Sequence, residues 1–74
     1  MKIKVRLFAT LRDGRGKEVE VERGESFSTL DILEELKIRR EEVALFLING
    51  RDGSFETQLS EGDVVSLFPP VGGG

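Results

Sequence analysis

The chain has 74 residues, a formal net charge of −3 and charged side chains over 34% of its length. That length sets a ceiling of one small domain, and the lack of Cys, His, Trp and Tyr removes disulfides, thiol nucleophiles and the usual proton shuttle near neutral pH. The acidic balance argues against a nucleic-acid binder, which would show a basic stripe.

Metal ligands are limited to carboxylates, so zinc is disfavoured, and no alternating Asp/Asn calcium-loop pattern is present. No apolar run is long enough to span a bilayer, and the start carries no secretory pattern. The expectation is a soluble cytoplasmic protein that binds neither nucleic acid nor membrane, with no cofactor of its own.

Met1 to Phe8 alternates, with Ile3, Val5 and Leu7 on one face and Lys2, Lys4 and Arg6 on the other, the pattern of a half-buried strand. Phe8 falls on the polar face by parity. Ala9 to Arg12 is expected to make a helical turn, and Asp13 to Gly16 turns the chain. Gly14-Arg15-Gly16 is too short to read as a phosphate loop, because no third glycine or following helix supports it. Lys17 to Glu22 alternates again, Val19 and Val21 against Glu18, Glu20 and Glu22, which completes an antiparallel hairpin.

Ser28 is a good N-cap, and Asp31 three residues on suggests a capping box. A helix over 29–37 follows, its apolar stripe centred on Leu33 and Leu36 with Thr29, Leu30 and Ile32 at the edges. Asp31, Glu34 and Glu35 form its wet side, and the early acids suit the positive end of the helix. Val43 to Ile48 is apolar on both faces and reads as a central strand. Asn49-Gly50 is a turn signal, which Arg51 to Gly53 continues. Ser54 to Glu56 is expected as a short strand, Leu59 plugs the core from a loop, and Asp63 to Phe68 is the last strand. The expected core is Ile3, Val5, Leu7, Val19, Val21, Leu33, Leu36, Phe46, Ile48, Leu59, Val65 and Leu67.

One helix across a mixed sheet of four to five strands gives a two-layer α+β domain, the β-grasp arrangement of ubiquitin-like folds. With a single helix, one sheet face stays open. Parity places Phe8, Leu45, Leu47 and Phe68 there, a candidate docking patch.

The sequence divides into a domain over 1–68 and a tail over 69–74. Pro69 and Pro70 favour an extended exit and donate no backbone hydrogen bond. Val71, Gly72, Gly73 and Gly74 then form a thread with almost no side chains, ending in a carboxylate. Glycine-rich ends also occur as linkers or frayed termini. Here the glycines follow a strand and a Pro-Pro step directly, which favours a working tail.

These residues resemble the small, sulfur-carrying subunit of molybdopterin synthase, in the MoaD/ThiS group of ubiquitin-like proteins. The resemblance covers nearly the whole chain. It rests on Val5-Arg6-Leu7-Phe8-Ala9-Thr10-Leu11-Arg12, on Asn49-Gly50, on Leu59-Ser60-Glu61-Gly62-Asp63 and above all on Phe68-Pro69-Pro70-Val71-Gly72-Gly73-Gly74. Thiamine-pathway carriers share the final glycines but usually lack Phe-Pro-Pro. Position 72 is glycine where relatives vary.

The resemblance implies that an ATP-dependent, ubiquitin-activating-type adenylyltransferase adenylates the Gly74 carboxylate. A sulfur donor protein then converts it to a thiocarboxylate. The tail delivers that sulfur to a pterin precursor in the large catalytic subunit of molybdopterin synthase, in molybdenum- or tungsten-cofactor synthesis. The carrier supplies no acid, base or metal, and ATP is used by the activating enzyme. Arg12 matches the family's early motif and joins Phe8, Leu45, Leu47 and Phe68 as a partner-binding residue. The alternatives are a thiamine-pathway carrier, a ubiquitin-like modifier joined through Gly74 to lysines, and a β-grasp interaction domain with an incidental tail.

Overall fold

The alternating segment forms β1 (Lys2–Leu7), with its odd-numbered side chains buried and its even-numbered ones exposed. The computed structural model describes residues 1–25 and 27–70. A 3₁₀ turn at Ala9–Arg12 tucks Leu11 beneath the sheet. The chain then returns as β2 (Glu18–Glu22), antiparallel to β1, with Val5 opposite Val19 and Ile3 opposite Val21. That register keeps the apolar positions of both strands on one face.

The helix α1 (Thr29–Leu36) starts where its cap is strongest. The Asp31 carboxylate accepts from the Ser28 backbone N–H at 2.9 Å and from Ser28 Oγ at 3.2 Å. The Ser28 N–H bond is the main cause that holds the Asp31 carboxyl below the ordinary carboxylate range. The Ser28 hydroxyl and Arg23 act the same way, and burial opposes them. The helix stops at Lys37, which takes the left-handed conformation at φ 59°. Arg15 crosses the gap to donate to the Leu36 and Lys37 carbonyls. A cation there suits the negative end of the helix.

A second 3₁₀ turn, Arg40–Glu42, leads to β3 (Leu45–Ile48). Asn49 and Gly50, at φ 53° and 81°, form the two-residue turn into β4 (Arg51–Asp52). Both positive angles match the mirror-image turn that suits a twisted hairpin. The last strand is β5 (Val64–Phe68). The sheet order is β2-β1-β5-β3-β4, with β1 and β5 parallel and the other neighbours antiparallel. This is the mixed five-stranded sheet with one helix that the element order predicts, and β3 lies inside it.

The structure corrects three expectations. The short strand is Arg51–Asp52 and not Ser54–Glu56, because the Asn-Gly turn needs only two residues and β4 starts at once. The helix stripe is centred on Thr29, Ile32 and Leu33, which are 0–2% exposed, while Leu36 is only partly buried. Val19 and Ile48 likewise pack at the margin of the core. Leu11, Phe27, Ile32 and Ile38 are instead fully integrated. Phe27 and Ile38 flank the helix and fold under it, where strand and helix periodicity both end. Thr29 carries a cost: its Oγ1 is buried without a hydrogen-bond partner among the described residues.

Candidate functional site

With α1 and the loops against one face, the other face of the sheet is open to a partner. Cross-strand register orders it into rows. On β2 and β1, Glu22, Glu20 and Glu18 stand opposite Lys2, Lys4 and Arg6. On the far side, β5 places Phe68 opposite Leu45 and Ser66 opposite Leu47 of β3. The charged half and the apolar half thus meet along the β1–β5 seam.

Phe8 closes the apolar half at its end. Ala9 takes the left-handed conformation at φ 51°, a setting that costs an L-residue about 1–2 kcal/mol. The chain turns there, so Phe8 stays on the outer face while Leu11 turns inward. The Phe8 and Phe68 rings stack with centroids 4.3 Å apart and planes 12° from parallel. Such pairs add about 0.5–1.5 kcal/mol beyond area burial. Phe8, Phe68 and Leu47 are half-buried, and Leu45 is 47% exposed. The four side chains expected to form the patch are therefore brought together, linked by the stack, by register and by the two-residue spacing along β3.

The base of the tail belongs to the same surface. Phe68 ends β5, and its carbonyl accepts from the Ala44 N–H at 2.8 Å. Pro69 is half-buried and Pro70 exposed. Val71, Gly72, Gly73 and Gly74, expected as the reactive end, lie outside the described residues.

Arg12 sits beside the patch. Its Nε donates to the Leu7 carbonyl at 2.8 Å, and its guanidinium lies 5.5 Å from the Phe8 ring centroid. Two cations that the sequence reading left out join it. Arg6 lies 5.8 Å from the same ring centroid. With Lys17 and Glu18, Arg6, Leu7, Phe8 and Arg12 line a cleft of about 260 Å³. Strand alternation gave the face of Arg6 but not its neighbour across the turn, and nothing in the sequence pointed to Lys17. A second cleft of about 220 Å³ opens on the other side of Leu45, against Phe46 and Phe55.

Among the described residues, no group of three or more carboxylates is placed to hold a metal ion, and no helix is long and apolar enough to cross a membrane. The site combines a partly exposed apolar patch with the base of the tail. Among the described residues it holds no nucleophile–base pair.

Comparison with known proteins gives a family match and several similar solved structures. The ThiS family pattern matches residues 5–74. A Pyrococcus furiosus protein assigned as subunit 1 of molybdopterin converting factor is 35% identical, with a TM-score of 0.77. The match covers 96% of this chain and 99% of that one. One chain of the protein–protein complex of subunits 1 and 2 of molybdopterin-converting factor from Helicobacter pylori matches at 27% identity. Its TM-score is 0.63, and it covers all of both chains. Small archaeal modifier protein 1 of Haloferax volcanii shares the fold at 22% identity and a TM-score of 0.78, over 95% of this chain and 98% of that one. No curated protein matches the chain.

Proposed function

The chain belongs to the ThiS family of ubiquitin-like sulfur carriers, and from that premise we propose that it is the sulfur-carrying small subunit of a molybdopterin synthase. The observation that supports this most is the surface at the base of the tail. Phe8, stacked on Phe68, and Leu45 opposite it form an apolar landing beside the Pro69-Pro70 exit. A partner that grips Phe68 fixes where the thread begins. Fixing the base of a short tether raises the concentration of its tip at the partner's active site.

The chemistry then runs at the Gly74 carboxylate. A carboxylate is a poor acyl electrophile. In the activating enzyme its oxygen attacks the α-phosphorus of ATP and pyrophosphate leaves. The resulting acyl adenylate has AMP as a good leaving group, and sulfur delivered at the sulfide level by the donor protein displaces AMP from the acyl carbon. The thiocarboxylate so formed enters the large subunit, where its sulfur bonds to the pterin precursor and water cleaves the acyl–sulfur bond, leaving sulfur on the precursor and restoring the Gly74 carboxylate. This chain contributes docking, reach and a tip narrow enough for a tight channel. Every proton transfer belongs to a partner, in keeping with a sequence that has no Cys or His.

The test is intact mass after incubation with ATP, a ubiquitin-activating-type enzyme and a sulfur donor. Exchange of one carboxylate oxygen for sulfur adds about 16 mass units, the signature of the acyl substitution described here. Transfer of that sulfur to a pterin precursor, on adding the large subunit, is the second expected result. No mass gain would overturn the carrier reading. Gly74 found only in isopeptide linkage to lysines would assign the chain to protein modification instead.

A further inference from the structure

The geometry points to the open edge of β2 as a strand-addition site. Its occupant is an extended basic segment of a partner protein, in which Lys or Arg alternates with apolar residues. The inference uses neither the tail nor the Phe8–Phe68 patch, so it stands apart from the sulfur-carrier reading.

Backbone phase is the first argument. The sheet ends in β2 on one side and β4 on the other. β4 has two residues, a length that blunts an edge. β2 has five, Glu18–Glu22, with no proline among them. Just beyond its ends, the Arg23 N–H donates to the Met1 carbonyl at 3.0 Å, and the Leu7 N–H donates to the Lys17 carbonyl at 2.9 Å. An antiparallel ladder alternates hydrogen-bonded and non-hydrogen-bonded pairs. Lys17 and Arg23 thus set the phase: Val19 and Val21 aim their backbone groups at β1, and Glu18, Glu20 and Glu22 aim theirs outward. Among the described residues, β2 has no sheet neighbour on that side, and no loop or turn backbone bonds to the three glutamates. A row of unpaired N–H and C=O groups is a template for another strand.

Charge selects the occupant. Residues directly opposite each other in a sheet share a face, so a residue paired with a β2 glutamate stands beside its carboxylate. In an antiparallel pairing of β2 with β2 of a second copy, the outward-aimed residues of both strands are glutamates. Carboxylate then faces carboxylate, which is destabilising. The same row favours a strand with cations at those positions. The other edge of β2 already shows the match, with Lys2, Lys4 and Arg6 of β1 opposite Glu22, Glu20 and Glu18. The ion pairs among the described residues join Met1 to Glu61, Arg23 to Glu35 and Arg39 to Glu42, so none engages a β2 glutamate. All three glutamates are exposed.

The other face of β2 sets the alternation. Val19 is half-buried and packs at the margin of the core. A partner residue opposite it lies on the helix-covered face and is apolar, covering the part of Val19 that the domain leaves open. The glutamate row therefore acts twice: it keeps copies of the chain apart and admits a basic strand.

The test titrates the isotope-labelled full chain with a terminally blocked Lys-Val-Lys-Val-Lys peptide at low salt, read by NMR. The controls are Glu-Val-Glu-Val-Glu and Lys-Lys-Lys-Val-Val, the second having the probe's composition without its alternation. In the free chain, the Glu20 and Glu22 amides exchange hydrogen faster than those of Val19 and Val21. The alternating basic peptide shifts the Glu18, Glu20 and Glu22 amide resonances saturably and slows their exchange, and both controls bind more weakly. Glu18→Gln/Glu20→Gln/Glu22→Gln, with a melting curve as folding control, raises the half-saturating peptide concentration by about threefold or more, from the loss of three cross-strand charge pairs. Equal protection of the four amides in the free chain overturns the phase on which the site rests. The absence of a saturable shift, equal binding of the non-alternating peptide, or unchanged binding by the folded triple variant overturns the site itself. So does a concentration-dependent shift of the same amides without peptide, which would give the edge to a second copy.

Discussion

Leu45 offers the cleanest trial of the docking face. Its side chain is 47% exposed in the free domain. Full burial of a leucine is worth about 1.5–3 kcal/mol, so covering the exposed half under a partner contributes roughly 1 kcal/mol. Leu45→Ala should then weaken binding to the large subunit by about fivefold. Leu45→Asp adds the desolvation of an unpaired carboxylate and should cost roughly 2–4 kcal/mol, on the order of thirtyfold to several hundredfold. The same substitution costs the fold little, about 1 kcal/mol at a strand position, or a few degrees of melting temperature. Phe68 is less informative, because it is half-buried and stacked on Phe8, so Phe68→Asp damages fold and interface together. Lys4→Ala, on the same face but in the charged half opposite Glu20, is the control and should bind like the wild type. Calorimetric affinity with a melting curve for each variant reads the result. Folded Leu45→Asp protein with unchanged affinity would mean that the patch is not where the large subunit docks.

Deleting Gly74, or adding a residue after it, should abolish sulfur transfer at an unchanged melting temperature, since one residue moves the reactive carboxylate by a few ångströms and near-attack geometry tolerates far less; activity in the truncated chain would refute this. Ile32→Ala, at a fully buried position, should cost about 2–5 kcal/mol in urea melts, and Leu36→Ala, at the core margin, distinctly less; the reverse order would contradict the helix orientation. Thr29→Val should stabilise the domain by about 1–2 kcal/mol, because it removes a buried hydroxyl without a partner, and a loss of stability would show that the hydroxyl is satisfied in solution. The Asp31 carboxyl is held below its ordinary value, so its contribution is present above the unfolded-state pKa of about 3.9 and disappears as pH falls through the folded value. Urea midpoints of wild type should therefore fall more steeply than those of Asp31→Asn between about pH 5 and 2, and parallel curves would remove Asp31 from the acid response.

What the sequence disclosed follows from where one rule acts alone. The first strand carries a period of two over six residues, and its burial alternates without exception. Ser28 and Asp31 mark a helix start through hydrogen bonds three residues apart, so the cap was legible locally. Residues outside a period were not. Phe27 and Ile38 lie just beyond the two helix ends, and their burial depends on how the flanking loops fold beneath the sheet. Ile32 and Leu36 were exchanged in rank because a short helix leaves the orientation of its stripe to the sheet it meets. At the site, parity alone put Phe8, Leu45, Leu47 and Phe68 on one face, but their contact required strand order. A period within β1 cannot say that β5 lies beside it in parallel, and that neighbour makes the Phe8–Phe68 stack possible. The cations around Phe8 were harder still. They come from a strand, a 3₁₀ turn and the start of a hairpin arm, three segments whose spacing in sequence carries no common pattern. The tail expected as the reactive end is a reading of another kind: it rests on the absence of side chains at Gly72, Gly73 and Gly74, which the sequence displays directly. A carrier divides its information in this way. On the reading proposed here the tip is written in the sequence because its chemistry would belong to other proteins, whereas the apolar surface at the base of the tail exists only once the sheet has assembled.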